Sequence, residues 1–426
     1  MPADAPRRLR PSWYYGWTQV LALSITETIS WGILYYSFSV FLLPMEDDLG
    51  WSQSQLTGAF SLALLISGIA GIPMGRWLDR HGPRALMTAG SVAATLLVLA
   101  WSQVGNLAAW YLIWIGIGVA MAATFYEPAF AMIAVWFRRK RSRALTILTF
   151  FGGFASVIFI PLANRLVVSY DWRTALVVLA AILAVGTIPA HALILRRRPG
   201  DLGLRPDGAL APLPVNANNP EATSDDDDEP AITWQNALRG SAFWWIGSAF
   251  MLVMLAMVAV TIHLIPTLVG RGFSTGFAAS AAGLVGLFAL PGRLIFTPLG
   301  GILPRQVVTA LIFGLEAAAI AVLAVADSRA EVLVFVMLFG SGFGAITPAR
   351  AALVADVYGS QSFGTIAGAL AMMVTTARGI GPILASLLIA WWGGPTAVLW
   401  LMAGFCAVGA VAILFSANPP KQVANS

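Results

Sequence analysis

Charge is what this sequence has least of. Only 11% of its 426 residues are Asp, Glu, Lys or Arg, where a water-soluble domain carries roughly a quarter. With 58% hydrophobic residues, a soluble globular chain is excluded. Cysteine is nearly absent as well: the single Cys406 rules out an intramolecular disulfide and any cysteine-based metal cluster. Three histidines form no metal-ligand spacing, so neither a metal nor a cofactor is expected. The sequence has no phosphate-cradling G-x-x-x-x-G-K-S/T and no recognisable Ser/His/Asp constellation, which argues against an ATP-driven pump and against an enzyme.

Long apolar runs take the place of all these. Crossing ~30 Å of hydrocarbon as a helix takes ~20 apolar residues. Runs of that kind lie near residues 17–43, 54–75, 85–104, 108–136, 144–168, 173–195, 243–268, 277–301, 306–326, 331–355, 363–391 and 396–416. The expected fold is therefore all-α and polytopic, with twelve membrane helices. Pro161, Pro291, Pro298, Pro348 and Pro382 interrupt these runs. Neighbouring helices can satisfy the backbone groups that such residues free, and close helix packing accounts for most of them. Met1 to Pro11 is polar and the first apolar run is too long for a signal-peptide core, so the first span is expected to remain in the protein.

Basic residues set the orientation. With both termini in the cytoplasm, eighteen of the 25 Lys and Arg fall inside: Arg7, Arg8, Arg10, Arg76, Arg80, Arg84, the cluster at 138–143, Arg196 to Arg198, Arg205, Arg239, Arg305 and Lys421. Arg165, Arg173, Arg271 and Arg329 fall outside, and Arg293, Arg350 and Arg378 lie within spans. This obeys the positive-inside rule for a multi-pass protein of the cytoplasmic membrane. The net charge of +5 is thus a topology signal and not a nucleic-acid footprint, because the basic clusters border membrane spans.

The spans divide six and six about a polar segment. Residues 1–195 read as the first six-helix half, 196–240 as a flexible cytoplasmic linker and 241–426 as the second half. The linker opens with Arg196-Arg197-Arg198-Pro199-Gly200-Asp201 and ends in the acidic run Asp225 to Glu229, a composition with too little apolar surface to fold alone. Between the second and third spans stands Gly75-Arg76-Trp77-Leu78-Asp79-Arg80-His81-Gly82-Pro83-Arg84. Glycines let helix ends meet tightly, and Asp79 with the arginines offers charge pairs that one conformation holds and another releases. Its pattern, with Gly75, Asp79, Arg80, Gly82 and Arg84 in place, resembles the cytoplasmic gate motif of the major facilitator superfamily. A weaker echo, Gly292-Arg293 followed by Pro298 to Arg305, stands after the eighth span without its Asp, as expected of two halves that rock about a midplane site.

Further stretches narrow the resemblance. Tyr14-Tyr15-Gly16-Trp17 and Gly32 to Phe41 in the first span, the basic loop Trp136 to Leu145, Tyr170-Asp171-Trp172-Arg173 and the linker opening Arg198 to Gly208 are similar to bacterial relatives of monocarboxylate transporters and oxalate/formate exchangers. That resemblance implies a cavity lined by helices 1, 4, 7, 8, 10 and 11. It also implies that Arg293 stands where monocarboxylate transporters hold a substrate carboxylate. The aspartate one turn earlier in those proteins is Ala289 here, their first-span lysine has no counterpart, and Glu27 lies in that span.

Ionisable residues within spans are functional candidates by default. Arg293 and Arg378 offer cationic, bidentate contacts to an organic anion, with Tyr35 and Tyr126 on the wall of an amphipathic pocket. Glu27 or Glu127 would carry the proton, taking it up when desolvated and releasing it when an arginine approaches. The competing reading is a fixed Glu–Arg pair that only neutralises buried charge. His263 reads as a satisfied interfacial histidine, Glu316 as structural, and Arg350 and Asp356 as partners of the gate. His81 and His191 read as unremarkable.

The function expected is secondary active transport of a small, monocarboxylate-like organic anion by alternating access, with proton symport, by a monomer whose other partners are protons and the lipid bilayer. A proton-coupled drug or metabolite exporter is the nearest alternative. Only a fragment of the exporters' fifth-span glycine-proline motif is present, in Phe151 to Pro161. A sensor that resembles a transporter but moves no solute is the second alternative.

Overall fold

Inside hydrocarbon every backbone N–H and C=O must find a partner within the protein, and this chain meets the requirement with helices. The computed structural model describes residues 13–208 and 232–417. Arg7, Arg8, Arg10, Lys421 and the acidic run Asp225 to Glu229 lie outside the described residues. Among the described residues, twelve helices are long and apolar enough to cross a membrane: α1 (Tyr15–Leu49), α2 (Gln55–His81), α3 (Pro83–Ser102), α4 (Leu107–Trp136), α5 (Arg141–Ser169), α6 (Trp172–Ile194), α7 (Ser241–Gly270), α8 (Gly276–Phe296), α9 (Arg305–Val325), α10 (Arg329–Tyr358), α11 (Phe363–Trp392) and α12 (Pro395–Leu414).

Helix ends are set by local chemistry more than by hydropathy. α1 continues past its apolar run through Glu46, Asp47 and Asp48 until Gly50, left-handed at φ 67°, stops it. α2 runs through the whole charged motif to His81 and turns at Gly82, whose φ of 80° and ψ of 177° suit only glycine. At the start of α6, the Asp171 carboxylate accepts from the Thr174 N–H at 2.8 Å and its hydroxyl at 2.6 Å. Those bonds hold its carboxyl below the usual range.

The prolines that seemed to interrupt spans do not break them: Pro161, Pro291, Pro298, Pro348 and Pro382 all sit inside continuous helix. The irregularities lie elsewhere. α1 widens to a π turn at Gly32–Tyr36, where the Ser37 hydroxyl donates to the Gly32 carbonyl at 2.8 Å. α4 breaks at Phe125, which is extended, because Pro128 cannot donate to residue 124 and would clash with its carbonyl. α5 is offset at Gly153 and Phe154.

Packing repeats with an offset of six helices. α2 lies on α4 as α8 lies on α10, α3 on α6 as α9 on α12, and α1 on α5 as α7 on α11. The two halves meet mainly along α2–α11 and α5–α8. The end of the bundle carrying residues 76–84 is called the motif face below. Parts of the connecting segment are ordered against it: 3₁₀ turns at Pro199–Leu202 and Pro206–Gly208, and a short helix at Trp234–Arg239. Trp234 lies under the Arg76 guanidinium, 4.5 Å from its ring centre.

Candidate functional site

The motif face is closed by contacts between the halves. Gly75 lies against the backbone of Gly364 so closely that any Cβ would collide with the Gly364 carbonyl, and Gly71 faces Gly368 one turn deeper. This backbone approach brings Asp79 to the first turn of α11. Its carboxylate accepts the Gly364 N–H at 2.8 Å, the Thr365 N–H at 2.9 Å and the Thr365 hydroxyl at 2.6 Å. Ser362, at the N-cap position of α11, makes no side-chain cap. Asp79 thus caps that helix from the other half, satisfying orphan donors at its positive end. The expected Asp79–arginine pairs do not form, since the helix terminus serves as the cation; Arg80 and Arg84 are exposed.

A second cluster closes the same face. Asp356, at the end of α10, meets Arg141 of α5 at 3.4 Å and Arg305 of α9 at 2.9 Å. It supplies the acid that the echo of the motif in the second half lacks.

Deeper in the bundle the halves are joined by charge. Glu127 and Arg350 pair at 2.5 Å, about 14 Å and 12 Å from the motif-face ends of α4 and α10 by helical rise. Glu127 therefore meets Arg350, and not Arg293 or Arg378, in this state. Arg293 donates through Nε to the Gly344 carbonyl at 3.2 Å and through its terminal nitrogen to the Thr149 carbonyl of the other half. Ala289, where the related transporters carry an acid, is buried with its backbone against Gly344.

Arg378 is different. It stands about 22 Å along α11 from its motif-face end, is exposed, and has no hydrogen-bond or ion-pair partner among the described residues. Yet it lies within electrostatic reach of Tyr35, Tyr36, Arg350 and Glu127. A guanidinium at mid-bilayer depth is costly against lipid, and these neighbours, drawn from both halves, place it in the interior between them, the space called the cavity below. Tyr36 is also close to Arg293, and Tyr126 neighbours Arg293, Glu27 and Tyr36. The hydroxyls of Tyr35, Tyr36 and Tyr126 make no hydrogen bond among the described residues. The π turn brings Tyr35 and Tyr36 to this cavity on consecutive positions, and Trp31 backs them, stacked on Phe125 at 4.1 Å.

Glu27 lies behind this wall, fully buried, with no ionic partner among the described residues; the Trp31 indole N–H, one turn away, is the donor within reach of its carboxyl. The remaining candidates have ordinary surroundings, apart from Glu316. His263 bonds the Ala259 carbonyl and the Ser386 hydroxyl, both at 2.9 Å, and buried His191 bonds the Ser91 hydroxyl at 2.8 Å. His81 is exposed, over the Trp77 carbonyl at 3.3 Å. Glu316 is buried against Gly342 with no hydrogen bond to its carboxyl.

Twelve membrane helices, a six-helix repeat and a glycine-backed contact between the halves are joined by a direct comparison: the family model described as Major Facilitator Superfamily matches residues 23–378 and again 294–426. The chain belongs to this superfamily. Among curated relatives of this transporter, Monocarboxylate transporter 13 of Bos taurus is 26% identical over 355 residues, covering 82% of the chain and 77% of the relative. Riboflavin transporter RibJ of Trypanosoma brucei brucei is 30% identical over 212 residues, covering 46% of the chain and 35% of the relative. Among solved structures, the superfamily member FucP in the outward conformation superposes with a TM-score of 0.73 at 16% identity over 95% of the chain and 100% of that structure. The human organic anion transporter MFSD10 does so with 0.68 at 14% identity, over 96% and 100%.

Within the superfamily fold, three features escaped the sequence. Tyr36 enters the cavity through the π turn, for which Gly32, packed against Phe159, is the only local sign. Arg350 stood out as an intramembrane charge, but its partner Glu127 is 223 residues away. Asp79 selects backbone donors, which carry no residue signature at all.

Proposed function

We propose that this transporter carries a small, monocarboxylate-like organic anion across the cytoplasmic membrane by alternating access with proton symport, as a monomer with the motif face and both termini in the cytoplasm. The observation that carries the reading is the Arg378 guanidinium, unpaired among the described residues and set between the halves beside Tyr35 and Tyr36. All five of its N–H donors are available, and its fork matches a carboxylate. Arg293 uses two donors on backbone carbonyls and keeps others for a ligand bound between the halves. Unpaired hydroxyls of Tyr35, Tyr36 and Tyr126 suit the remaining acceptors of such an anion, and their rings suit an apolar body. The name of the Bos taurus relative points to the same substrate class.

Glu27 is the proposed proton carrier. A buried carboxylate without an ionic partner is strongly disfavoured, so it holds a proton in this state and releases it when rearrangement brings water or an arginine. Glu127, already paired with Arg350, is the second candidate, exchanging that partner during the cycle.

Uptake of labelled organic anions into proteoliposomes, with and without an inward proton gradient, tests this for the native chain, Arg378→Ala and Arg293→Ala. Gradient-driven uptake of a carboxylate is expected, lost in both variants, and insensitive to the gradient in Glu27→Gln. Accumulation of cations or neutral amphiphiles in place of anions overturns the anion reading in favour of an exporter.

A further inference from the structure

The connecting segment carries a residue in a conformation that needs a reason. Asp207 has a φ of 62°, the only positive φ outside glycine among the described residues, and a left-handed residue of this kind persists where its surroundings impose it. Its carboxylate fills a concavity of three successive backbone donors in the turn between α4 and α5. Oδ2 accepts from Arg138 at 3.1 Å and Arg139 at 2.7 Å, and Oδ1 accepts from Lys140 at 3.0 Å. Such a nest of N–H groups binds an anion firmly.

The turn so held is rigid on both sides. Tyr14 packs beside Gly208 and donates its hydroxyl to the Trp136 carbonyl at 2.7 Å; burial and the Asp207 charge raise the proton affinity of that phenol. The Trp136 indole donates to the Arg196 carbonyl at 3.2 Å, and the Arg196 N–H to Gln19 at 2.7 Å. Immediately after the turn comes Arg141, only 5% exposed, with Nε on the Phe137 carbonyl at 3.0 Å and a terminal nitrogen on the Ala134 carbonyl at 2.9 Å. Its other terminal nitrogen reaches Asp356 of the opposite half.

We propose that Asp207 is a positioning residue of the gate: by holding the α4–α5 turn it sets the Arg141 guanidinium for Asp356 and so favours closure of the motif face. The linker then acts on the transport cycle through its opening turn, whatever solute the cavity takes. A turn left loose would still allow the Arg141–Asp356 contact, but at the cost of ordering the backbone each time the halves meet.

The test uses the full chain in nanodiscs with Cys406→Ser and nitroxide labels at Ala85→Cys and Gln361→Cys, two exposed positions of opposite halves at the motif face. Asp207→Gly removes the carboxylate while suiting the left-handed backbone, and Asp207→Asn keeps one acceptor oxygen. Pulsed electron-spin distances are expected to show the open-to-closed ratio rising about three- to fivefold in Asp207→Gly, less in Asp207→Asn, and equally in Arg141→Ala. The double variant Asp207→Gly/Arg141→Ala should add nothing to either single change. A native distance distribution in a folded Asp207→Gly or Asp207→Asn protein, even with a lower Tm, reduces Asp207 to a loop staple and overturns the proposal. Additive shifts in the double variant overturn it as well.

Discussion

The motif face is shut by two devices built on different physics. Along α2–α11 the closure is one of shape: glycines bring two backbones into contact, and Asp79 caps a helix that its own N-cap residue leaves uncapped. At α5, α9 and α10 the closure is coulombic: Asp356, 40% exposed, sits between Arg141 and Arg305. A shape-dependent closure is steep, because backbones either meet in register or do not. A water-facing ion cluster is gradual and responds to ionic conditions. On that difference the first seam is expected to decide whether the face closes, and the second to tune how firmly.

The sharpest way to break the comparison is Gly75→Leu. No side chain fits between α2 and the Gly364 carbonyl, and overpacking of this kind costs about 3 kcal/mol, or a hundredfold loss of the closed population. Distances between labels at Ala85 and Gln361 would report it, and a closed distribution in that variant would show that the helices do not meet here. Asp79→Ala comes next. Losing the cap should cost about 2 kcal/mol, roughly thirtyfold in closure, with Asp79→Asn recovering part of it through its remaining acceptor oxygen.

These two residues also mark how far the sequence was legible. Hydropathy located all twelve helices, because hydrocarbon thickness sets a minimum apolar length for each of them. It cut α1 and α2 short by about a turn or more, since helix continues beyond the apolar run until a glycine such as Gly50 or Gly82 ends it. Gly75 to Arg84 were readable as a pattern, but the partner of Asp79 was not: it lies 285 residues away at Gly364 and consists largely of backbone. Arg378 was visible as a charge inside a span. That it is unpaired and Arg350 is paired depends on which helices face each other, and local sequence does not encode that.

A third joint, deeper in the bundle than either seam, is Glu127–Arg350. Side-chain exposures of 25% and 12% make it partly desolvated, so leaving one partner alone should matter more than removing both. Glu127→Gln or Arg350→Gln is expected to shift the conformational equilibrium about tenfold, ~1.4 kcal/mol, and the double neutralisation to restore most of it. Proton-driven uptake in the double variant at the native rate would make the pair a structural neutraliser and leave Glu27 as the sole proton carrier. Loss of gradient coupling with retained counterflow would instead assign Glu127 to the coupling machinery.

The smallest effect belongs to the ion cluster, and salt separates it from the seam. Asp356→Asn should open the motif face about fivefold, ~1 kcal/mol, at low ionic strength. At 1 M salt the Debye length falls to about 3 Å, so the part of the Asp356 contribution that reaches through solvent is screened and the gap between the variant and the native protein should narrow. Asp79→Ala should keep its full deficit over the same range, because the carboxylate it removes acts through direct hydrogen bonds inside a packed seam. Parallel salt dependence of the two variants would mean that both closures are electrostatic and that the glycine register contributes little. Divergence would make α2–α11 the latch, with the Asp356 cluster as the part of the gate that the connecting segment, through Asp207 and Arg141, is placed to adjust.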